Sequence, residues 1–293
     1  AEDGIRDVAV TGVQTCALPI LKGQPYIPTV VTSYSDYKNR FGGSFISGGA
    51  SYEFLTSIAA YNYFQQGGTT ILVTRVVTGS FAPASASVMI SGSTSVSSFT
   101  LETINYGTIA NNTSSILSNG ALDSGSQNNV RWEVRNVNSG SGTFTLLVRR
   151  GDDNDAQKNI LETWANVSLD PQLPNYISRV IGDLKPVYNV AQGRVDYEGN
   201  FPNQSLYVRV ASITTPNVDS IDNNGNFKTG SYALTLPQVG SGSYGGSFDG
   251  GVADTNLPKL MNETITTSNI QGFTPDDYNR AFSLLSNKDE YSF

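Results

Sequence analysis

The stretch from residue 51 to residue 77 most constrains the fold, because it joins a helix-length pattern directly to an apolar strand. Ser51 is expected to cap a helix, and apolar side chains recur at i, i+3, i+4 and i+7 spacing over residues 54–64. A Gly pair at 67–68 would end this helix, and residues 69–77 are almost continuously apolar. A strand that is apolar on both faces needs cover on both sides, so the pattern predicts a layered α/β unit.

A shorter unit of the same kind precedes it. Residues 26–33 are rich in β-formers, and Ser33 or Ser35 is expected to cap a short helix that carries Tyr37 and Phe41. The two glycines that follow Phe41 would end this helix.

A strong helix start lies near the other end of the chain. Thr274 is expected to be the N-cap, with Pro275 in the first turn and two carboxylates, Asp276 and Asp277, facing the positive end of the helix dipole. The buried face of this helix is predicted to consist of Tyr278, Ala281, Phe282 and Leu285.

The region between these ends is predicted to be rich in β-structure. Composition shifts at residues 78–98 towards Ser, Gly and Ala, and beyond them apolar runs are separated by Asn, Ser and Gly clusters. The expected strands are residues 99–104, 130–137, 143–149, 160–169, 206–213 and 232–236. A short helix is expected over residues 174–181, and residues 238–256 are predicted to be a Gly/Ser loop.

Composition excludes several classes of protein. The chain has no His, which removes the usual general base and the commonest zinc ligand, so a hydrolase triad or a His-based metal site is close to excluded. The formal net charge is −7 and the 18 Lys and Arg residues are scattered, which argues against a nucleic-acid partner. No apolar run approaches the ~18 residues that a membrane span requires, so no membrane partner is expected.

Two motifs suggest a ligand, but each has a better structural explanation. Gly240, Gly242 and Gly245 match the G-x-G-x-x-G pattern of dinucleotide sites, yet no helix is expected after them to bind a pyrophosphate, so a linker is predicted. Residues 152–155 place three Asp and one Asn in a row, but the Gly and the bidentate Glu of a calcium loop are missing. A solvated turn is therefore predicted there, and residues 222–225 similarly predict a hairpin turn.

Other polar residues form no recognisable catalytic constellation. The carboxylates that could in principle form a glycosidase pair are Glu53, Glu102, Glu133, Glu162 and Asp170. Structural roles are expected for them, since sequence alone cannot bring any two within reach. Glycosylation sequons at Asn111, Asn112, Asn166, Asn203 and Asn262 are expected by chance in a chain so rich in Asn, Ser and Thr. We expect no enzyme activity, no catalytic or cofactor-binding residue, no metal ligand and no cofactor.

Residues 1–20 are expected to be non-native. Residues 1–7 back-translate into the end of a common sequencing flow-cell oligonucleotide, residues 8–9 would be an index, and residues 10–20 back-translate in frame into the read primer that follows. Cys16, the only cysteine, would then belong to the artefact and supports no redox role. The alternative is a genuine N-terminal strand. The chain is also expected to be a metagenomic gene fragment that lacks native sequence at least at its N-terminus.

Three further segments are informative through their order and spacing. They are Lys22-Gly23-Gln24-Pro25 with residues 28–37 and Phe41-Gly42, then residues 64–68 with 73–77, and finally residues 272–293 with Leu-Leu-Ser-Asn-Lys-Asp-Glu-Tyr at 284–291. Together they resemble the tail sheath proteins of contractile-tailed bacteriophages of the myovirus type. Residues 144–152 and 167–171 are also similar to sheaths of large myophages.

The resemblance implies an α+β fold in which the two ends of the chain build a partial α/β core domain around a β-rich insert. After residues 1–20, the implied boundaries are 21–80 for the N-terminal part of the core and 81–257 for the inserted domain or domains, which end in the Gly/Ser linker. Residues 258–293 would start a truncated return to the core.

The resemblance also implies a function. Sheath subunits polymerise helically around the tail tube through strand-exchanging arms, mostly absent here, and contract to drive the tube through the host envelope for genome ejection. The implied partners are other copies, the tail tube protein, and the baseplate and tail terminator proteins. The implied location is the virion tail, after assembly in the host cytoplasm. The alternatives are a β-rich receptor- or carbohydrate-binding phage tail protein, a tail-associated glycosidase, and the sheath of a bacterial contractile injection system.

Overall fold

The computed structural model describes residues 14–18, 22–47, 50–53, 55–77, 79–189, 191–215, 223–224, 229–249 and 274–286. Within them the helices are α1 (Tyr34–Phe41), α2 (Leu55–Gln65), α3 (Ile177–Ile181) and α4 (Pro275–Leu285). The strands are β1 (Gln14–Leu18), β2 (Thr29–Val31), β3 (Ser44–Ser47), β4 (Ala50–Glu53), β5 (Ile71–Arg75), β6 (Phe81–Met89), β7 (Ser97–Tyr106), β8 (Val130–Asn138), β9 (Thr143–Arg150), β10 (Ile160–Ser168), β11 (Lys185–Asn189), β12 (Arg194–Glu198), β13 (Val208–Ile213), β14 (Gly240–Gly242) and β15 (Phe248–Asp249). Short 3₁₀ turns cover Thr108–Ala110 and Thr229–Thr235.

The N-terminal sheet is built around β5. This strand has β1 parallel to it on one side and β2 antiparallel to it on the other, and all five of its residues are buried. Helices α1 and α2 pack on the sheet through one cluster of buried side chains: Val31, Tyr37, Phe41, Ala60, Ile71 and Val73. The predicted association of a helix with a buried strand is confirmed.

Helix α1 begins and ends where the sequence predicts. The backbone N–H of Asp36 donates to the Oγ of Ser33 at 3.1 Å, so Ser33 rather than Ser35 is the N-cap. Gly42 follows the last helical residue with a φ of 81°, a conformation that glycine adopts without strain. Tyr37 is buried, as predicted.

Helix α2 begins later than the sequence predicts. Residues 50–53 form β4, which pairs antiparallel with β3, so the prediction of Ser51 as the N-cap is wrong. The link between the two strands is Gly48-Gly49 in the sequence, and a two-residue Gly link between short runs favours a hairpin. The helix starts at Leu55 instead.

The middle of the chain forms a β-sandwich. Its two antiparallel sheets have the strand orders β10-β9-β8-β14 and β13-β7-β6-β15. Side chains from both sheets form one buried cluster, in which Phe99 of β7 stacks on Phe144 of β9 with ring centroids 5.5 Å apart. Ile177 and Ile181 of α3 belong to the same cluster. The β-rich character predicted for this region is confirmed.

Strand β6 lies in the stretch that the sequence predicts only as a change of composition. Its buried residues are Ala84, Ala86 and Val88, while Ser85 and Ser87 between them are exposed. The alternation is that of a half-buried strand, but the small size of Ala and Ser hides it in the sequence.

Two predictions for the middle of the chain need correction, and one hairpin there is missed. Residues 232–236, predicted as a strand, lie mainly in the 3₁₀ turn, and Tyr232 and Leu236 give an apolar pattern because they pack into the core. The predicted loop at 238–256 contains the edge strands β14 and β15, which pair with β8 and β6. The hairpin of β11 and β12 is not predicted, because its mostly half-exposed strands give no clear apolar alternation.

Helix α4 has the predicted cap. The N–H of Asp277 donates to the Oγ1 of Thr274, and the Asp277 carboxylate accepts the N–H of Thr274 at 2.9 Å, so the two residues form a capping box. The buried face is Ala281 and Leu284, whereas Phe282 is 56% exposed, so the prediction for Phe282 is wrong. The helix instead turns its 281/284 side towards a cluster formed by Tyr26, Val76, Val77 and Val195.

Within residues 1–20 the structure describes β1, which runs beside β5 from Gln14 opposite Ile71 to Leu18 opposite Arg75. Many different sequences can form backbone hydrogen bonds of this kind when they are extended, so the pairing does not identify the origin of the strand. The non-native origin of residues 1–20 therefore stays a prediction.

The mixture of helices and sheets confirms an α+β fold. The division into a core domain and an inserted domain stays a prediction. Asp222 and Gly225 of the predicted hairpin turn, the Asn262 sequon and residues 287–293 lie outside the described residues. No helix in the described part of the chain is long and apolar enough to cross a membrane.

Candidate functional site

The densest group of charges lies where two strands of the sandwich meet an acidic turn. Arg131 of β8 and Arg149 of β9 are opposite each other in the ladder, and both are fully buried. The Nε and Nη2 of Arg149 donate to the two carboxylate oxygens of Asp153 at 2.7 and 2.8 Å. The Nη1 of Arg131 lies 3.5 Å from the Oδ1 of Asp153, so one carboxylate serves two buried guanidinium groups.

Glu133 and Lys158 extend this network. The Nη1 of Arg149 donates to the Oε2 of Glu133 at 2.7 Å, and the Lys158 ammonium donates to both oxygens of Glu133 at 2.8 and 2.9 Å. Burial by itself would raise the pKa of Glu133, but the hydrogen bonds from Lys158 and Arg149 outweigh it and hold the pKa below its ordinary value. Glu133 therefore remains ionised at neutral pH.

The same environment shifts the pKa values of the two arginines in opposite directions. Burial, together with the charge of Arg149, lowers the pKa of Arg131. Burial also acts to lower the pKa of Arg149, but its hydrogen bonds to Asp153 outweigh this and raise the pKa. Both side chains stay cationic, since an arginine in a protein is not deprotonated near neutral pH. The network is a structural clamp between the sandwich and the turn.

The acidic run at residues 152–155 is therefore only partly the solvated turn that the sequence predicts. Asp153 is buried because it is the shared counter-ion of two arginines, whereas Asp152 pairs with Arg150 near the surface. Among the described residues, no group of three or more acidic or Cys side chains is placed to hold a metal ion. The sequence feature that indicates this clamp is the acidic run that follows Arg149-Arg150 almost directly.

Two other carboxylates considered for a glycosidase pair also bind neighbouring groups. Glu102 accepts the Nη2 of Arg209 at 2.6 Å, which ties β7 to β13. Glu162 accepts the hydroxyl of Ser205 at 2.7 Å and the backbone N–H of Leu206 at 2.8 Å, which ties β10 to the segment before β13. These contacts support structural roles for both residues.

Asp170 caps a turn, since one of its oxygens accepts the backbone N–H of Gln172 at 2.9 Å. The side chain of Glu53 lies outside the described residues.

Within the G-x-G-x-x-G pattern, Gly242 allows a close approach between two strands. Gly240 and Gly242 are in β14 and pair with Val134 and Trp132 of β8. A Cβ on Gly242 would lie 2.6 Å from the Trp132 ring, so only glycine fits there. Residues 248–249 that follow form a strand, which offers no helix terminus for a pyrophosphate. The linker prediction is wrong for this stretch, because the close approach to Trp132 lets it pair as an edge strand.

The sequons at Asn111 and Asn112 have an internal role that the sequence does not reveal. Asn111 donates to the carbonyl of Ser247 and accepts the N–H of the same residue, at 2.6 and 2.7 Å. Asn112 accepts the N–H of Tyr244 at 2.6 Å and donates to the carbonyl of Val130, also at 2.6 Å. The two amides clamp residues 244–247 to the sandwich.

Comparisons with known proteins give limited similarity. No family model and no curated protein matches the chain. A solved structure of a sheath tail protein from Listeria innocua is similar over 93% of this chain, with 11% identity and a TM-score of 0.41. A sheath tail protein from Desulfitobacterium hafniense is similar over 75% of the chain, with 10% identity and a TM-score of 0.28.

The chain spans 38% of the length of the Listeria protein and 37% of the length of the Desulfitobacterium protein. Both TM-scores are low, and we therefore base the function on the residues and contacts of this chain.

Proposed function

We propose that this chain is part of the structural subunit of a contractile phage tail sheath, which polymerises around the tail tube and contracts to drive the tube through the host envelope. One observation carries the proposal: the three sheath-like sequence segments meet at β5 and at Val76 and Val77, which follow it. The first segment supplies β2 and α1, the second supplies the end of α2 and β5, and the third supplies α4.

The first two segments meet through a strand pair and a helix. In the antiparallel pair of β2 and β5, Thr29 lies opposite Val73 and Val31 lies opposite Ile71. Ala60 of α2 packs into the same buried cluster. Residues about 40 positions apart in sequence are thus joined by backbone hydrogen bonds and by apolar packing.

The third segment joins them through Tyr26. This residue has a φ of 56°, which is uncommon for a residue other than glycine. Its hydroxyl donates to the carbonyl of Val77. The Tyr26 ring packs with Ala281 and Leu284 of α4. This contact between the two ends of the chain supports a core domain that both ends build.

The sheet edges suggest how subunits could join. The strand order β1-β5-β2 leaves β2 at one edge of the sheet, where a strand of another copy can add. Such contacts are heterologous, and when they do not close into a ring they build a helical cylinder. Contraction is then a shift between two packings of the same subunits, and it consumes no nucleotide or cofactor because the energy is stored during assembly.

This function places the protein in the virion tail after assembly in the host cytoplasm. Its partners are other copies of the chain, the tail tube protein, and the baseplate and tail terminator proteins. The sheath of a bacterial contractile injection system would use the same chemistry, and the genes next to the full-length gene distinguish it from a phage sheath.

Sedimentation of the full-length protein at rising concentration, with a glycan array in parallel, tests the proposal. The sheath function predicts fast-sedimenting polymers and no saturable glycan binding. A monomer that binds glycans would contradict it and would favour the alternative of a receptor- or carbohydrate-binding tail protein.

A pair of variants in the full-length protein tests the role of the β2 edge. Val30 on β2 is 54% exposed, and Val96, just before β7, is 47% exposed. If β2 accepts a strand, Val30→Asp should reduce polymer formation, whereas Val96→Asp should not. Equal effects of the two substitutions would exclude β2 as the joining edge.

A further inference from the structure

A cavity of about 370 Å³ lies between the N-terminal α/β layer and the β-sandwich. Lys22, Lys38 and Asn39 line it on one side, and residues of the sandwich such as Asn105, Asn128 and Arg150 line it on the other. Three of its lining residues are cationic, and none of those that the structure describes is an Asp or Glu. The wall of the cavity therefore carries an excess of positive charge.

Lys22 is the unusual member of this set. It is 6% exposed, and its ammonium has no hydrogen-bond or ion-pair partner among the described residues. The other two cations are engaged, since the Lys38 ammonium lies 5.0 Å from the centre of the Tyr34 ring and Arg150 pairs with Asp152. A buried lysine is ordinarily paired, because removing a charge from water without a partner is unfavourable.

The backbone around Lys22 is fixed by contacts with α1 and β5. The N–H of Lys22 donates to the carbonyl of Phe41 at 3.2 Å, and the carbonyl of the next residue, Gly23, accepts the Nη1 of Arg75 at 2.9 Å. Gly23 has a φ of 119°, and a Cβ there would lie 2.7 Å from the Phe41 ring. The segment is thus fixed at both of these residues, and Lys22 is held against the cavity.

The charge of Lys22 persists at neutral pH. Burial lowers its pKa from 10.5 to about 8, so the side chain is still mainly an ammonium at pH 7. Apart from the three cations, the only titratable group among the described residues of the cavity wall is the phenol of Tyr207, whose pKa is raised by burial and by the charge of Glu162. Tyr207 is therefore neutral and cannot balance Lys22.

We propose that this cavity binds a small oxyanion, a carboxylate or a phosphate, with the Lys22 ammonium as its counter-charge. An oxyanion accepts hydrogen bonds from an ammonium and from side-chain amides, and Asn39, Asn105 and Asn128 are among the residues that line the same cavity. The cavity is of ordinary size for a small-ligand site between two packed layers. The inference does not rest on a sheath function.

Competitive acylation with mass spectrometry tests the site on the unmodified whole chain. The rate at which acetic anhydride labels Lys22 is measured with inorganic phosphate, with succinate, and with chloride at matched ionic strength, because simple screening acts in all three. Saturable protection of Lys22 by either oxyanion, with no protection of Lys185 on β11, is expected. Equal labelling of Lys22 in all three solutions, or equal protection of Lys185, would overturn the proposal.

A variant pair gives an independent measurement. Isothermal titration of phosphate and succinate into Lys22→Met should show affinity reduced by at least about tenfold, the range expected for loss of a charged hydrogen bond. Lys185→Met, which removes the same charge outside the cavity, should bind as the unmodified chain does. Retained affinity in a folded Lys22→Met protein would contradict the assigned role of Lys22.

Discussion

Arg149 and Asp153, four residues apart, form a two-point ion pair in which the guanidinium Nε and Nη2 donate to the two carboxylate oxygens at 2.7 and 2.8 Å. Neither side chain is more than 1% exposed. The same carboxylate lies 3.5 Å from Arg131, so it lies between two cations that would otherwise face each other unscreened across the β8–β9 ladder. These contacts hold the turn that follows β9 against the sandwich.

Asp153→Asn should destabilise the fold strongly. Removing one partner of a buried ion pair leaves uncompensated charge, and the expected loss in the free energy of unfolding is about 3 kcal/mol or more. Asp152→Asn, at the partly exposed pair with Arg150, should cost about 1 kcal/mol or less. Urea unfolding of both variants checks this, and similar losses would show that the buried network is not the clamp inferred here.

The cap of α1 gives a second matched pair. Ser33→Ala removes the side-chain oxygen that accepts the N–H of Asp36, and should lower the free energy of unfolding by about 1 kcal/mol. Ser35→Ala, at an exposed position inside the helix, should change it by less than about 0.5 kcal/mol. Denaturant unfolding distinguishes them, and an equal or larger effect at Ser35 would mean that the helix starts elsewhere.

Two glycines of β14 differ in what a side chain would meet. A Cβ on Gly242 would lie 2.6 Å from the Trp132 ring, whereas a Cβ on Gly240 would meet nothing within 4 Å. Gly242→Ala should therefore lower stability by about 1–3 kcal/mol through overpacking, and Gly240→Ala should be close to neutral. Thermal unfolding followed by tryptophan fluorescence measures both, and a neutral Gly242→Ala would argue against the pairing of β14 with β8.

Lys22 predicts a specific dependence of stability on pH. Its folded-state pKa of about 8 lies below the ordinary value of 10.5, so between these values the unfolded chain binds more protons and stability rises with pH. The gap between the two pKa values corresponds to roughly 3 kcal/mol. Between pH 7 and pH 10.5, the free energy of unfolding of the unmodified chain should rise by up to this amount relative to that of Lys22→Met.

The measurement is urea unfolding in phosphate-free buffer, with Lys185→Met as the control. That variant should follow the unmodified chain across the same pH range. Stability curves for the unmodified chain and Lys22→Met that run parallel would show that the Lys22 ammonium is solvated in the folded state.

Local signals predicted the elements that depend on neighbouring residues. The caps at Ser33 and Thr274 are side-chain-to-backbone hydrogen bonds over three residues, so the sequence alone contains the information. Strand β5 was predictable because all of its residues are buried, which makes it apolar throughout.

The missed features depend on distant partners. The burial of Asp153 requires Arg131, which lies on another strand. The burial of Lys22 requires residues of the sandwich that are about 80 or more positions away in the sequence. Strand β6 is hidden by its small side chains, and Gly242 looks like part of a linker until Trp132 is placed beside it. Periodicity and spacing carry no information about such contacts.

Negative-stain electron microscopy of the protein expressed from the full-length gene, recovered from independent reads, tests the central claim most directly. The sheath function predicts long, striated, hollow cylinders that form from the purified subunit. A full-length protein that stays a dispersed monomer under all assembly conditions would contradict the account.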